Sequence, residues 1–188
     1  EGSDILDGIS KPGLAVIESG DKRWQAFYND VLKLRAFQGL ALDGAMIAML
    51  ETLFGEKVLP HSRNICRLMF PQTQRFSTPP HQDHFYIGGS DETWTAWIPL
   101  GDCPTELGSL AVGRGTHTRG MMDVHEAEGA GGQAVDTGAD TVWCGGDFEC
   151  GDVLILHSLT VHQGRDNLTQ DRLRLSVDYR YQPRSHPV

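Results

Sequence analysis

Histidine is the residue type that carries most of the chemistry in this chain. There are eight: His61, His81, His84, His117, His125, His157, His162 and His186. The segment Pro79-Pro80-His81-Gln82-Asp83-His84 contains His-x-Asp. On an extended segment, residues i and i+2 point to the same side, so one imidazole and one carboxylate reach one metal ion without distorting the backbone. His84 is one position further on, faces away and reads as a neighbour. A third donor is expected in the run Gly151-Asp152-Val153-Leu154-Ile155-Leu156-His157-Ser158-Leu159-Thr160-Val161-His162-Gln163-Gly164. His157 and His162 are an odd number of residues apart, hence on opposite faces of an extended strand, and only one of them is expected to serve. Two histidines and one carboxylate leave three adjacent coordination positions open, the donor pattern of non-haem Fe(II) oxygenase sites. Two openings take a chelating 2-oxo acid and the third takes O2. Neutral imidazoles with one carboxylate leave the Fe(II) centre one positive charge, which favours an anionic co-substrate.

A 2-oxo acid needs an anchor for its distal carboxylate, and the planar guanidinium fork matches a carboxylate in two-point fashion. Arg174 follows His162 by twelve residues, on the polar face of the last periodic stretch. Arg172 shares that face and is the fallback. Taken alone, both would be read as solvated charges of an edge strand.

The elements that must position these groups fall into two parts. Residues 22–37 place Trp24, Phe27, Tyr28, Val31 and Leu34 at spacings of three and four, an amphipathic helix. Residues 43–54 repeat the pattern: Asp43 caps, Met46, Met49, Leu50, Leu53 and Phe54 form the stripe, and Gly55 stops the helix. From residue 60 onward, short apolar or alternating runs stand between turn residues: Ile65–Phe70, Thr93–Leu100, Ser109–Val112, Thr141–Trp143, Asp152–His157 and Arg172–Tyr181. In the last, Leu173, Leu175, Val177, Tyr179 and Tyr181 alternate with Arg172, Arg174, Ser176, Asp178 and Arg180, so one face is apolar and the other polar. The Gly-, Ala- and acid-rich segment 119–140 is long for a connection and reads either as a lid or as a surface insertion. The sum is an α+β chain, mainly β, built on a sandwich or barrel. A length of 188 residues fits a single domain, with residues 1–58 helical and 59–188 forming the β core.

Composition excludes several functions. Acidic residues number 25 against 16 basic, a net charge of −9, so no basic face meets nucleic acid or an anionic membrane surface. No apolar run approaches the length of a membrane span. The N-terminus has no signal-peptide pattern, and the chain is expected to be cytoplasmic. Cys66, Cys103, Cys144 and Cys150 form no CxxC pair and are too sparse for a disulfide scaffold; Cys144 and Cys150, flanking a Gly-rich stretch, are the pair open to a bridge or a metal.

The whole series resembles the phytanoyl-CoA dioxygenase family of Fe(II)/2-oxoglutarate oxygenases. The resemblance rests on His81-Gln82-Asp83-His84, Thr93-Trp94-Thr95-Ala96-Trp97-Ile98-Pro99-Leu100, Gly108-Ser109-Leu110-Ala111-Val112 with Gly115-Thr116-His117, Gly151-Asp152-Val153-Leu154, His162, Asn167 and Arg172-Leu173-Arg174-Leu175-Ser176. These cover roughly residues 62–182, about two-thirds of the chain. The resemblance implies a double-stranded β-helix (jelly roll, cupin-like) with the N-terminal helices packed on one sheet. It implies His81, Asp83 and His162 as Fe(II) ligands and His157 as a neighbour behind them. It implies Arg174 as the 2-oxoglutarate anchor, Trp97 as a wall of the co-substrate pocket and Ser176 as a further hydrogen-bonding contact. The chain departs from the family in a short N-terminal region and in reading Arg114-Gly115-Thr116-His117 where relatives often have Pro-Gly-Ser-His. Halogenating relatives replace the carboxylate, so Asp83 favours hydroxylation.

The expected activity is hydroxylation of an unactivated C–H bond of a small molecule, using O2 and 2-oxoglutarate and releasing succinate and CO2. A cupin-like metal-dependent isomerase or hydrolase without 2-oxoglutarate is the alternative, distinguished by a closed ligand set. A non-catalytic jelly-roll binding module is a third. Arg67, Arg75, Arg114 and Arg119 are not brought together by the sequence into a rim for an acyl-CoA, and the substrate class and the oligomeric state stay open.

Overall fold

A computed structural model describes residues 22–72 and 77–186. The N-terminal residues discussed above and Arg75 lie outside these, as does the side chain of Trp24.

Among the described residues three helices come first: α1 (Lys22–Lys33), α2 (Arg35–Leu40) and α3 (Gly44–Phe54). The first expected helix is broken at Leu34, whose ψ of 129° is extended. The break turns Phe37 inward onto Tyr179, with ring centroids 5.7 Å apart. The α3 boundaries follow from local chemistry. The Asp43 carboxylate accepts from the amides of Ala45 and Met46, and Gly55 adopts a left-handed φ of 70° at the C-terminus. Its buried face is narrower than the expected stripe: Met46 and Leu50 are buried, while Met49 and Leu53 are exposed. The stretch Arg35–Phe54 is long and apolar enough to cross a membrane by length and composition, which the sequence reading did not anticipate. Here it is split by a turn at 41–42 and seats Phe37, Ala41, Met46 and Leu50 in the main apolar core.

The rest is mostly β. The strands are β1 (Val58–Pro60), β2 (Ile65–Met69), β3 (Thr78–His81), β4 (Trp94–Pro99), β5 (Leu110–Gly113), β6 (Val124–Glu126), β7 (Gln133–Val135), β8 (Trp143–Gly145), β9 (Leu154–His157), β10 (His162–Gly164) and β11 (Arg174–Pro183), with a short helix α4 (Asp83–Ile87) after β3. All strand pairings among the described residues are antiparallel. One sheet runs β1-β11-β4-β9, with β2 also on β11; a second runs β3-β10-β5-β8; β6 and β7 form a hairpin.

β11 is therefore central, and it is buried on both faces. Its apolar residues Val177, Tyr179 and Tyr181 pack with Cys66, Ala96 and Ile98 against the helices. The hydroxyls of Tyr179 and Tyr181 donate to the carbonyls of Phe37 and Ala41, satisfying backbone groups that the end of α2 leaves without helical partners. Its polar residues Arg174, Ser176, Asp178 and Arg180 are each at most 3% exposed. They point to the other side, toward the second sheet, so the face that resembled a solvated edge is the lining of the interior.

The segment 119–140 is a docked hairpin rather than a free loop. The Tyr86 hydroxyl reaches the Gln133 carbonyl, and the Ala130 amide donates to the Ser77 carbonyl. Gly129 has φ +114°, and a Cβ there would lie 2.5 Å from the Ser77 carbonyl oxygen, so only glycine lets the hairpin seat.

Candidate active site

His81 and His162 are paired across β3 and β10, with ring centroids 4.2 Å apart. Gln82 is extended (φ −112°, ψ 130°) and Asp83 opens α4. The i, i+2 relation thus holds across a strand-to-helix junction, and the Asp83 carboxylate swings under both imidazoles. Its Oδ1 lies 3.7 Å from His81 Nε2 and 3.8 Å from His162 Nε2. The donor atoms of His81, Asp83 and His162 all lie within 4.8 Å of one another, and all three residues are buried.

The backbone decides which ring nitrogens are available. His81 Nδ1 is 2.8 Å from the Pro79 carbonyl and His162 Nδ1 is 3.0 Å from the Thr160 carbonyl. A carbonyl can only accept, so each Nδ1 carries its proton and each Nε2 presents a lone pair toward the centre. Burial, with the His81 ring beside it, pushes the His162 imidazole down to about 4, so it is neutral at neutral pH. Burial works to raise Asp83, but the Arg180 guanidinium and the two histidines outweigh it and hold the carboxyl well below the usual range. Two imidazole Nε2 atoms turned inward and one ionised carboxylate suit a divalent transition ion.

The remaining oxygen of Asp83 is occupied. Oδ2 accepts from Thr95 Oγ1 at 2.6 Å and from Arg180 Nη2 at 2.9 Å. Neither partner was singled out in the sequence. The available signal was periodicity, since Thr95 shares a face with Trp97 and Arg180 a face with Arg174. Gln82, between the two donors, is 1% exposed and faces away from them. It donates to the Gly120 and Leu159 carbonyls and accepts from the Met122 amide, fixing the stretch that leads into the β6–β7 hairpin.

Arg174 is 2% exposed and sits at the start of β11. One Nη group donates to the Gly108 carbonyl, its Nε has no partner, and its guanidinium lies 5.8 Å from the Trp97 ring. No carboxylate among the described residues pairs with it. Burial lowers it to about 10, so it remains a cation at neutral pH. A buried cation without a counter-ion is costly. Around it, Trp97 Nε1, Ser109 Oγ and Ser176 Oγ are also buried without partners. Three orphaned polar groups around one cation suit a bound carboxylate. Ser109 lies in the Gly108-Ser109-Leu110-Ala111-Val112 motif, where nothing in the local sequence marks it as a contact. Arg172 precedes β11 and is half-buried, and its carbonyl accepts from Asn167.

Asn167 organises the turn that delivers Arg174. Fully buried, it donates to the Met69 and Arg172 carbonyls and accepts from the amide and hydroxyl of Thr169. Thr116, in the departed Arg-Gly-Thr-His stretch, donates to the Gly113 carbonyl and accepts from the amide of Val161, the residue before His162.

His157 corrects an expectation. It pairs with Trp94 on the helix-facing side of the first sheet, its Nε2 is 4.0 Å from Glu92, and its ring is 6.0 Å from His117. The group that orients His162, which the sequence does not name, is the Thr160 carbonyl. His84 faces Asp91, 3.9 Å away. Cys144 and Cys150 are free and exposed, so no bridge joins them. Arg67 lines the interior with Asp178, and Arg119 binds the Thr137 carbonyl.

Two facing antiparallel sheets thus carry a buried His/Asp/His set with an unpaired arginine beside it. The chain belongs to the phytanoyl-CoA dioxygenase (PhyH) family, whose model matches residues 17–175. It is 34% identical over 150 residues to a 1-deoxypentalenic acid 11-beta-hydroxylase of Streptomyces arenae, covering 72% of this chain and 53% of that one. It is 38% identical over 120 residues to the hydroxylase of that name from Streptomyces exfoliatus, covering 58% and 42%. The chain thus spans about half the length of these relatives. Among solved structures, the epimerase SnoN from nogalamycin biosynthesis, in complex with Fe3+, alpha-ketoglutarate and nogalamycin RO, superposes with a TM-score of 0.66 at 24% identity, over 82% of this chain and 61% of that one. EvdO2 from Micromonospora carbonacea var. aurantiaca, complexed with 2-oxoglutarate, gives 0.58 at 20% identity, over 87% and 66%.

Proposed function

We propose that this chain hydroxylates an unactivated C–H bond of a small molecule, consuming one O2 and one 2-oxoglutarate and releasing succinate and CO2. In this reading residues 1–188 are one domain and the facing sheets are a double-stranded β-helix. His81, Asp83 and His162 hold Fe(II), and Arg174 anchors the distal carboxylate of 2-oxoglutarate with Ser176, Ser109 and Trp97 around it. The single observation that supports it most is Arg174, a buried cation without a counter-ion beside a buried His/Asp/His set. A metal-dependent isomerase or hydrolase that does without 2-oxoglutarate has no co-substrate carboxylate for this arginine to hold.

Bound Fe(II) and 2-oxoglutarate would supply the activation of O2 that C–H oxidation requires. The protein's own work is positional. The Pro79 and Thr160 carbonyls hold the Nδ1 protons and so aim both Nε2 atoms at the metal. Asp83 stays ionised and offers one oxygen. Arg174 fixes the far end of the co-substrate, while Trp97, Met69 and Leu110 keep its surroundings dry. The related hydroxylases are named for 1-deoxypentalenic acid, so small carboxylic acids are the first substrate class to try.

The test is incubation with Fe(II), 2-oxoglutarate and 18O2 across such a panel. The expected result is a product heavier by one 18O atom, with stoichiometric succinate. Metal-dependent turnover of a substrate without succinate would contradict the proposal.

A further inference from the structure

We propose that Arg180 and Thr95 restrict Asp83 to one ligating oxygen, and so keep open the positions that a co-substrate must occupy. The inference rests on the reading of Asp83 as a metal ligand given above. A carboxylate has two equivalent oxygens and can close on a metal through both. Here the two are made inequivalent before any metal arrives. Oδ1 faces both imidazoles, at 3.7 and 3.8 Å. Oδ2 is turned toward the first sheet, where it accepts from Thr95 Oγ1 (2.6 Å), Arg180 Nη2 (2.9 Å) and Arg180 Nε (3.3 Å).

The two donors come from paired residues. Thr95 on β4 and Arg180 on β11 are register partners, so both side chains leave the same face of the sheet side by side. Arg180 is itself held. It is 1% exposed, and its Nη2 lies 3.6 Å from Asp178 Oδ2, which accepts from Arg67 Nε at 2.8 Å. Charges alternate along Arg67, Asp178, Arg180 and Asp83, and the four sum to zero. For Oδ2 to turn to a metal, it would have to abandon a charge-assisted pair and leave Arg180 buried with one distant carboxylate. Arg180 and Thr95 are accordingly positioning residues, acting through Asp83.

The test compares wild type with Thr95→Val, Thr95→Ser and Arg180→Lys, each loaded with Co(II) without oxygen. Readouts are Co(II) affinity, the visible d–d spectrum, which reports coordination number, and the change in that spectrum on adding 2-oxoglutarate. Thr95→Val preserves shape and removes only the donor. The expected result is a changed Co(II) spectrum and a metal affinity altered by about 10–100-fold, with a weakened 2-oxoglutarate response and recovery in Thr95→Ser. Arg180→Lys should shift the spectrum in the same direction. If Arg180→Lys does not fold, the Thr95 pair decides the matter. Variants that change thermal stability alone, with wild-type affinity and spectra, would overturn the proposal. If the wild-type protein itself binds no metal, the functional reading fails and not merely this refinement.

Discussion

Arg174 and Gly108, 66 residues apart in sequence, meet inside the molecule, where the arginine donates to the glycine carbonyl. That contact aims the guanidinium without neutralising it. The arginine keeps its full charge, its Nε lacks a partner, and the site keeps an unspent attraction for an anion. An arginine meant to stabilise the fold would be paired, as Arg67 is with Asp178.

Replacement of Arg174 by Met therefore separates folding from binding. Removing an uncompensated buried charge is neutral or stabilising to the fold. Arg174→Met should keep or raise the apo-protein Tm while weakening 2-oxoglutarate binding about 100-fold or more. Calorimetric unfolding and equilibrium binding of 2-oxoglutarate check the two halves.

Gly108 is the weak point of the same contact. Its φ is +87°, and a Cβ would lie 2.7 Å from the Arg165 carbonyl oxygen. Gly108→Ala should cost about 2–4 kcal/mol from backbone strain and the clash. Gly101→Ala, where nothing lies within 4 Å of the added Cβ, is the control and should stay near wild type in a urea titration.

Acid should destabilise the apo-protein through His162. Its folded-state value is about 4 against 6.5 for an ordinary histidine. Between those values the unfolded chain takes up a proton that the folded chain refuses, so stability is full above pH 6.5 and falls as pH drops toward 4. The loss amounts to about 3 kcal/mol. Asp83, coupled to this imidazole, adds a second contribution at lower pH. Its lowered value protects the fold above pH 3.8, and that contribution is lost below it. His162→Gln should flatten the slope of unfolding free energy between pH 6.5 and 4.

Gln82 should control the path into the hairpin. Its three hydrogen bonds reach Gly120, Leu159 and Met122. Gln82→Leu leaves two carbonyls and one amide without their buried partner, at about 2–4 kcal/mol. Limited proteolysis should then cut near 119–123 at a protease concentration that leaves wild type intact.

The parts of the fold that could be read from sequence were those with local causes. α3 was delimited by Asp43 and Gly55, and β11 by ten residues of strict alternation. The donors His81 and Asp83 were legible because their relation spans two residues. β3 was missed because it carries Pro79 and Pro80, which lack the amide a strand interior needs. They are tolerated here because β3 is an edge strand. β10 is only three residues long, too short for any period. The roles of Thr95, Arg180 and Ser109 depend on which strands pair and which loop closes over β11, and no local pattern encodes that. The polar face of β11 was misleading for the same reason. Charges that alternate with apolar residues look solvated until a second sheet covers them.

One buried site should take Fe(II) and 2-oxoglutarate together. The direct measurement is an anaerobic titration of apo-protein with Fe(II) and then 2-oxoglutarate, watched for the visible charge-transfer band of a chelated 2-oxo acid. Asp83→Ala and Arg174→Ala are titrated alongside. A saturable band is expected in wild type, with its loss in Asp83→Ala and a much higher half-saturating concentration in Arg174→Ala. Folded wild-type protein that binds Fe(II) but develops no band would contradict it.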